Sequence, residues 1–285
     1  MLMQYNLYEF IRCPADRSHP LEQKQGMVCC RQCRKEFPVK DNKVIFTQYP
    51  ADAFVRDISP SERWTRWRKS NFDYFDKELK RVPKSGILFD IGAGPSDFRE
   101  LLSGFDVYVG IDFYPYELVS VVADLTKGLP FKDGVCDIIF MSNVLEHIAN
   151  PLLLLRECFR ILRPGGLIIG TVPFLLNVHQ IPYDFNRYTN FMLEKMFKDN
   201  GFSDIEVRGL GTPWDVYRTA QNNFFNLLMQ SKLSENKFGH VGRKFLARLG
   251  RKIIYSTSAV LNPVFRKVSP SDIFTQGYGF KARKL

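Results

Sequence analysis

Residues 87–95 read Ile-Leu-Phe-Asp-Ile-Gly-Ala-Gly-Pro, an apolar run that ends in Asp90 and passes into a turn with glycines at alternate positions, Gly92 and Gly94. A buried parallel strand that stops in a glycine-rich turn delivers backbone N–H groups to the carboxyl edge of a sheet, where open α/β sheets bind ligands. A second apolar run, Val107 to Ile111, ends in another acid, Asp112. At about twenty residues' distance, an acid in that position can take both hydroxyls of a ribose. The expectation from these two strands is a nucleoside ligand on a doubly wound sheet.

The turn departs from the dinucleotide fingerprint, in which a third glycine lets the helix approach the strand beside a pyrophosphate. Here Gly94 is followed by Pro95, Ser96 and Asp97. Asp90 and Asp97 bracket the turn with negative charge, which opposes a pyrophosphate and suits a cationic nucleoside. S-adenosylmethionine, with its sulfonium and ammonium groups, is the leading candidate. An ordinary glycine turn of a parallel α/β protein is the alternative that these residues alone leave open.

The following segments continue the pattern. A third strand, Ser120 to Ala123, ends in Asp124-Leu125, and the turn Leu129 to Gly134 leads into a fourth, Val135 to Met141. That strand empties into Ser142-Asn143-Val144-Leu145-Glu146-His147. A helix from about Pro151 to Leu162 has proline early and Arg163-Pro-Gly-Gly166 as its stop. A fifth strand runs from Leu167 to Val172. On these residues, residues 85–211 and the final strand resemble a class I S-adenosylmethionine-dependent methyltransferase of the ubiquinone/menaquinone-methylase-like group. The resemblance implies an α/β fold, a seven-stranded doubly wound Rossmann-like sheet. Carried over residue by residue, it implies that Asp90, Gly92 and Gly94 contact the methionine end of the cofactor and that Asp112 binds the ribose. Asp124 and Leu125 would border the adenine, and Asn143 would lie beneath the transferring methyl. A third glycine often follows two places after Gly94, and Ser96 stands there instead. In some quinone methyltransferases an acid upstream joins a Glu-His pair to bind a divalent metal. The matching upstream position here is the uncharged Asn143, so Glu146-His147 is expected to hold the strand-to-helix corner by hydrogen bonds.

Four of the six cysteines cluster near the start, at Cys13, Cys29, Cys30 and Cys33. With Phe37-Pro38-Val39 and a short strand from Lys43 to Phe46, they resemble the zinc-ribbon domain of the small methyltransferase-activator family. The first knuckle of such a ribbon carries Cys-Pro-x-Cys, whereas this chain reads Cys13-Pro-Ala-Asp16. The implied metal ligands are Cys13, Asp16, Cys30 and Cys33. Zinc accepts a carboxylate in a tetrahedral site. Cys29 is a second possible ligand, and a ribbon that has kept its fold without metal is the alternative. Any zinc here is expected to be structural, because so small a ribbon has almost no core of its own. Cys136 and Cys158 read as small hydrophobes.

The expected organisation is therefore a zinc-ribbon-like β domain over 1–48, a helical linker or lid over 49–84, and the methyltransferase domain over 85–285. In the linker, Ser59-Pro60-Ser61-Glu62 forms a capping box with proline at the first helical position. Trp64, Trp67, Phe72 and Phe75 follow at near-helical spacing, and that helix either covers the cofactor cleft or packs its aromatics on the sheet.

The substrate side is expected after the fifth strand, where His179-Gln-Ile-Pro-Tyr-Asp-Phe-Asn-Arg-Tyr-Thr189 precedes a helix from Asn190 to Asn200. It resembles a signature of methyltransferases from surface-polysaccharide and natural-product gene clusters. His179, titrating near neutral pH, is the expected general base toward an acceptor hydroxyl. Asp184 is the alternative base or the partner that orients the imidazole. In the bland reading, Asp184 and Arg187 simply pair within a rigid loop.

Charge is distributed unevenly. The net charge of +10 resides in 232–285, which hold twelve Lys/Arg and two Asp/Glu, while the preceding residues carry 28 of each. The basic segment forms a helical insertion, 212–272, between a sixth strand (Ile205 to Leu210) and the last (Tyr278 to Arg283). Within it, 243–260 reads as a basic amphipathic helix. It would lie on an anionic membrane surface, bind nucleic acid less readily, or pack as a solvated helix. No basic-then-apolar leader is evident and no apolar run approaches the ~18 residues needed to span a bilayer. At 45% hydrophobic and 14% aromatic the chain is not disordered. The expected location is cytoplasmic, or peripheral at the inner face of a membrane.

The resulting expectation is O-methylation of a saccharide, either surface polysaccharide or lipid-linked glycan, or of a related small molecule. Two alternatives stand beside it, a tRNA or other RNA methyltransferase and a cofactor-fold pseudoenzyme that acts as a binding module. The Asp/Asn-Pro-Pro-Tyr tetrapeptide of many amino-group methylases is absent, with Asn143-Val-Leu-Glu in its place.

Overall fold

The structure is a computed structural model. It describes residues 6–16, 19–49, 65–95, 97–230 and 272–285, with 242, 245, 248–250, 252 and 256. In chain order its elements are β1 (Leu21–Lys24), β2 (Met27–Cys30), β3 (Glu36–Lys40), β4 (Lys43–Ile45), α1 (Arg66–Leu79), β5 (Ile87–Ile91), α2 (Arg99–Leu102), β6 (Val107–Asp112), β7 (Val119–Val122) and β8 (Cys136–Ser142). These are followed by α3 (Pro151–Ile161), β9 (Leu162–Pro173), α4 (Asn190–Asp199), β10 (Ser203–Leu210), α5 (Pro213–Gln230) and β11 (Gly277–Arg283).

The decisive stretch, 87–91, becomes β5 at the middle of the sheet, parallel to β6 on one side and to β8 on the other. Strands buried on both faces read as continuous apolar runs, and alternate residues of β5 supply two different cores. Phe89 and Ile91 join Val109, Ile139 and Leu154 on one face. Leu88 joins Tyr74, Phe75 and Phe140 on the other, where the Phe75 and Phe140 rings lie 4.4 Å apart. Strand order runs outward from β5 through β6 to β7 in one direction and through β8, β9, β11 and β10 in the other. The reversal between β5 and β8 is the topological switch point at which α/β sheets open a crevice. It brings the Gly92 turn next to the end of β8.

Seven strands, β5 to β11, form the expected doubly wound sheet, but the sheet does not stop there. Its full order is β1-β2-β3-β4-β7-β6-β5-β8-β9-β11-β10, eleven strands. The N-terminal strands do not form a detached β unit. Instead, β4 pairs in parallel with β7, Val44 beside Val121 and Ile45 beside Val122, and Ile11 forms a bridge to Phe131. The reason lies in the outer edge of β7, whose backbone groups need partners. The amide of Phe46 supplies one to the Val122 carbonyl at 2.8 Å. Phe10, Ile11, Val28 and Val44 then bury themselves in the same apolar cluster as Phe89 and Ile91. A second difference concerns β9, which begins at Leu162 and runs through Arg163-Pro-Gly-Gly166. The helix does stop at Ile161, just before this motif, but the glycine pair is part of the strand that follows.

The aromatic residues of α1 pack against the sheet where glycines leave room. A Cβ on Gly277 would meet the Trp67 ring at 2.3 Å, and one on Gly279 would meet the Tyr74 ring at 2.7 Å. The capping box at Ser59–Glu62 and Trp64 lie outside the described residues, and Thr65 caps the helix by accepting from the Arg68 amide. Most of 243–260 also lies outside them; Phe245 and Leu249 are exposed. Among the described residues no helix is long and apolar enough to cross a membrane.

Candidate active site

The carboxyl edge of the parallel strands carries the predicted acids in a row. Asp90 closes β5 almost fully buried and accepts a hydrogen bond from the Tyr108 hydroxyl at 2.8 Å. Burial pushes its carboxyl up to about 7, against the lowering effect of that hydrogen bond. Asp112 closes β6, where Oδ2 accepts from the Gly94 amide at 2.9 Å and Oδ1 from the Tyr114 amide at 3.0 Å. Its carboxyl is also raised, by burial first, with these amides opposing. Each oxygen of a carboxylate has two acceptor positions, so Asp112 keeps acceptor capacity after binding backbone amides. The Gly92 and Ala93 amides bond to the Ile111 carbonyl at 2.8 and 3.1 Å, tying the turn to β6.

Both glycines are left-handed, Gly92 at φ +73° and Gly94 at φ +55°, a conformation that glycine adopts without penalty. They differ in what lies beside them. A Cβ on Gly92 would meet Val144 Cγ2 at 2.5 Å, whereas one on Gly94 would have nothing nearer than the Gly92 carbonyl oxygen at 4.0 Å. Gly92 therefore permits close packing, while Gly94 borders open space. Ser96 lies outside the described residues.

Asp124 follows β7. Its Oδ1 accepts from the Thr126 amide and hydroxyl, and Lys127 lies 3.1 Å from Oδ2. Burial raises this carboxyl, but the Thr126 and Lys127 contacts outweigh it and the net shift is downward. Leu125 beside it is buried. Asn143, at the tip of β8, is left-handed at φ +54°. Its Oδ1 accepts from the Trp67 indole at 3.1 Å and its Nδ2 donates to Ser142 Oγ. Thus Tyr74 and Phe75 of α1 pack on the sheet, and Trp67 of the same helix bonds to the tip of β8. Tyr108, which donates to Asp90, was not anticipated. Tyr108 was legible only through strand register, since it sits opposite Leu88, one residue short of the level of Phe89.

The loop after β9 places His179 Nδ1 3.1 Å from Asp184 Oδ2, while the His179 amide donates to the same oxygen at 2.8 Å. Arg187 grips both oxygens of Asp184 at 2.6 and 2.8 Å. The Arg187 guanidinium holds this carboxyl well below the ordinary range. Asp184 thus pairs with Arg187, as the rigid-loop reading expects, and also accepts from the His179 amide. The other nitrogen of His179 turns toward Glu146, with Nε2 3.9 Å from Oε1. Leu175, Val178, Ile181, Tyr183 and Phe185 stand exposed along the same loop.

At the N-terminus, Cys13, Asp16, Cys30 and Cys33 converge, one donor atom from each lying within 4.8 Å of the others. Cys13 and Cys33 Sγ are 3.5 Å apart and Cys30 Sγ lies 2.8 Å from Asp16 Oδ2. This donor set suits tetrahedral zinc. Cys29, the other ligand considered, turns to Glu36 instead. Cys136 and Cys158 are buried in the main core.

Comparison with known proteins agrees with the sheet edge. The family model described as "Methyltransferase domain" matches residues 89–170. An uncharacterized methyltransferase of Mycobacterium sp. (strain KMS) is 32% identical over 108 residues, 34% of this chain and 42% of the relative. Another, from Mycolicibacterium gilvum (strain PYR-GCK), is 36% identical over 94 residues, 29% of this chain and 37% of the relative. The chain thus spans about two fifths of the length of the curated relatives it matches. Among solved structures, a chain from the complex between the Haloferax volcanii Trm112 methyltransferase activator and the putative methyltransferase shares the fold. Its TM-score is 0.50 at 18% identity, covering 84% of this chain and 99% of that one. The matched residues, 89–170, hold the strands that carry the glycine turn and its acids on the carboxyl edge of the sheet, and the likeness in fold extends over most of the chain.

Proposed function

We propose that this chain is an S-adenosylmethionine-dependent methyltransferase that methylates an oxygen of a glycan or related polyhydroxylated small molecule. The observation that carries the reading is the turn at the switch point. Buried Asp90, open-sided Gly94 and Asp112 with acceptor capacity to spare lie together on one sheet edge. When bound there, the cofactor supplies an electrophilic methyl group on a sulfonium. Asp90 offers negative charge to the ammonium end, and Asp112 accepts from the ribose hydroxyls. Asn143 and Trp67 close the edge against water. His179, with Asp184 behind it, is the proposed group for the acceptor's proton, and the apolar rim at 178–185 would hold the acceptor's less polar part. The basic stretch at 243–260 would favour an acceptor presented at an anionic membrane surface.

Calorimetric titration with S-adenosylmethionine tests the cofactor reading. Binding should be saturable at one site, weakened at least about tenfold by Asp112→Ala (the loss of roughly 1.5–3 kcal/mol for hydrogen bonds to a charged group) and unaffected by His179→Ala. A folded chain that binds none would sink it. For the acceptor, labelled cofactor is offered with lipid-linked saccharides, nucleotide sugars and tRNA in parallel. Label in the saccharides supports the proposal, whereas label in tRNA overturns it in favour of the RNA reading.

The same proposal assigns a structural zinc to Cys13, Asp16, Cys30 and Cys33. Its support is the convergence of the four donors, Cys30 from the end of β2 and the others from the neighbouring turns. Metal analysis of the purified chain should give one zinc, and Cys30→Ser should abolish it and lower the thermal midpoint. Full zinc retention by Cys30→Ser would remove Cys30 from the ligand set.

A further inference from the structure

A second cluster of donors lies under the acceptor loop. Glu146, His147 and His179 each direct one donor atom to a common point, all within 4.8 Å of one another. Glu146 is completely buried. Among the described residues neither of its oxygens has a hydrogen-bond partner beyond its own backbone amide. A buried carboxylate without a partner is costly, because the protein has removed its water and returned nothing. His147 Nε2 is likewise buried without a partner. It lies 3.7 Å from Glu146 Oε1, and His179 Nε2 lies 3.9 Å from the same oxygen. These separations are too long for hydrogen bonds. They are close to the ~3.4 Å that separates two ligands about 2.1 Å from a tetrahedral cation.

The outer contacts agree. Each imidazole is held through Nδ1, His147 by the Tyr183 carbonyl at 2.6 Å and His179 by the Asn177 carbonyl at 3.3 Å, with Asp184 Oδ2 3.1 Å from the same nitrogen. That arrangement fixes the tautomer and leaves Nε2 with its lone pair turned inward, as metal-ligating histidines are held. Asp184 is fixed in turn by Arg187. The loop is also tied to the corner by its backbone, since the Phe185 and Asn186 amides donate to the Glu146 carbonyl at 2.8 and 3.2 Å.

We propose that Glu146, His147 and His179 form a binding site for a divalent transition-metal ion, with three protein ligands and open positions toward the acceptor loop. Two imidazoles and one carboxylate suit Zn²⁺, Fe²⁺, Co²⁺ or Mn²⁺. The site stands whether or not the chain transfers methyl groups. If it does, a cation held by these three residues would supply a Lewis acid for an acceptor hydroxyl. His179 then holds the cation through Nε2 rather than taking a proton there, so the two roles of His179 are alternatives.

Mn²⁺ binding to the full chain, followed by loss of the free-ion electron paramagnetic resonance signal, separates this site from the cysteine cluster, whose thiolates select against hard Mn²⁺. One Mn²⁺ should bind. Glu146→Gln, nearly isosteric, should weaken binding at least about tenfold, and Asp184→Asn by about 10–100-fold through loss of the outer contact. Cys30→Ser should leave it unchanged. Co²⁺ absorption repeats the titration with a better imidazole binder. Failure of the wild-type chain to bind either ion, or wild-type affinity in both Glu146→Gln and His179→Ala, would overturn the assignment. S-adenosylmethionine titration of the same Glu146→Gln chain reports separately on the cofactor site, which should be intact.

Discussion

Gly92→Ala should destabilise the chain strongly and abolish cofactor binding, whereas Gly94→Ala should cost the fold only the smaller conformational penalty and act mainly on binding. At Gly92 an added methyl would lie 2.5 Å from Val144 Cγ2, and the backbone is left-handed as well. The left-handed penalty is about 1–2 kcal/mol for an L-residue, and the overpacking adds about 1–3 kcal/mol. Val144 cannot step aside freely, because it is buried in the apolar cluster beneath the corner that carries Glu146. At Gly94 the conformational penalty remains but the methyl enters open space, the space assigned to the cofactor. Thermal denaturation and cofactor titration of both variants measure this. Equal loss of stability would show that the space beside Gly94 is not open.

The second large effect concerns pH. Asp90 holds its proton to about 7, against an ordinary value of 3.8. Below 3.8 the carboxyl is protonated in both folded and unfolded chains and contributes no difference. Between 3.8 and about 7 the unfolded chain ionises while the folded one does not, so stability falls with each step in pH; above 7 the cost is constant. The gap corresponds to on the order of 4 kcal/mol at about 1.4 kcal/mol per pH unit. Asp90→Asn keeps an acceptor for the Tyr108 hydroxyl and removes the ionisation. It should therefore raise the thermal midpoint at pH 8, change it little at pH 4, and still bind S-adenosylmethionine far more weakly than wild type. Glu146, pushed up to about 8 by burial, adds a parallel decline with the same sign, which Asp90→Asn should leave in place. A midpoint at pH 8 that Asp90→Asn lowers would show that the carboxylate is stabilised rather than strained in the folded chain. Both declines would arise at the candidate site, and ionisable groups with shifted titration cluster at functional sites.

The central sheet was legible because its signals are local. Strands β5, β6 and β8 are continuous apolar runs that end in a polar residue, Asp90, Asp112 or Ser142-Asn143, and each polar end reaches the same edge by the geometry of parallel pairing. What was hidden depended on contacts distant in sequence. Nothing in Lys43–Ile45 announces that it will pair with Val121 and Val122, since a short strand's partner is decided by which edge is free. The same applies to Glu146-His147. The local reading looked upstream for a third ligand and found the uncharged Asn143. Instead the third donor, His179, arrives from the loop beyond β9. The extension of β9 through Arg163-Pro-Gly-Gly166 was missed for a different reason. Proline and glycine mark a break in any local reading, yet here the Gly165 amide finds a backbone acceptor in Lys284 and the strand continues.

The pairing of β4 with β7 also bears on solubility. Without the N-terminal strands, β7 would present Val119, Val121 and Val122 beside an unpaired row of backbone groups, an open template for a strand from another molecule. With them, that edge is covered and the sheet instead ends at β1 on one side and at β10 on the other. Glu22, Gln23 and Lys24 occupy the first of these ends, and Asp204, Glu206 and Arg208 the second. Both termini of the sheet are thus short or charged, so the cysteine-bearing strands guard the protein against joining its own kind edge to edge.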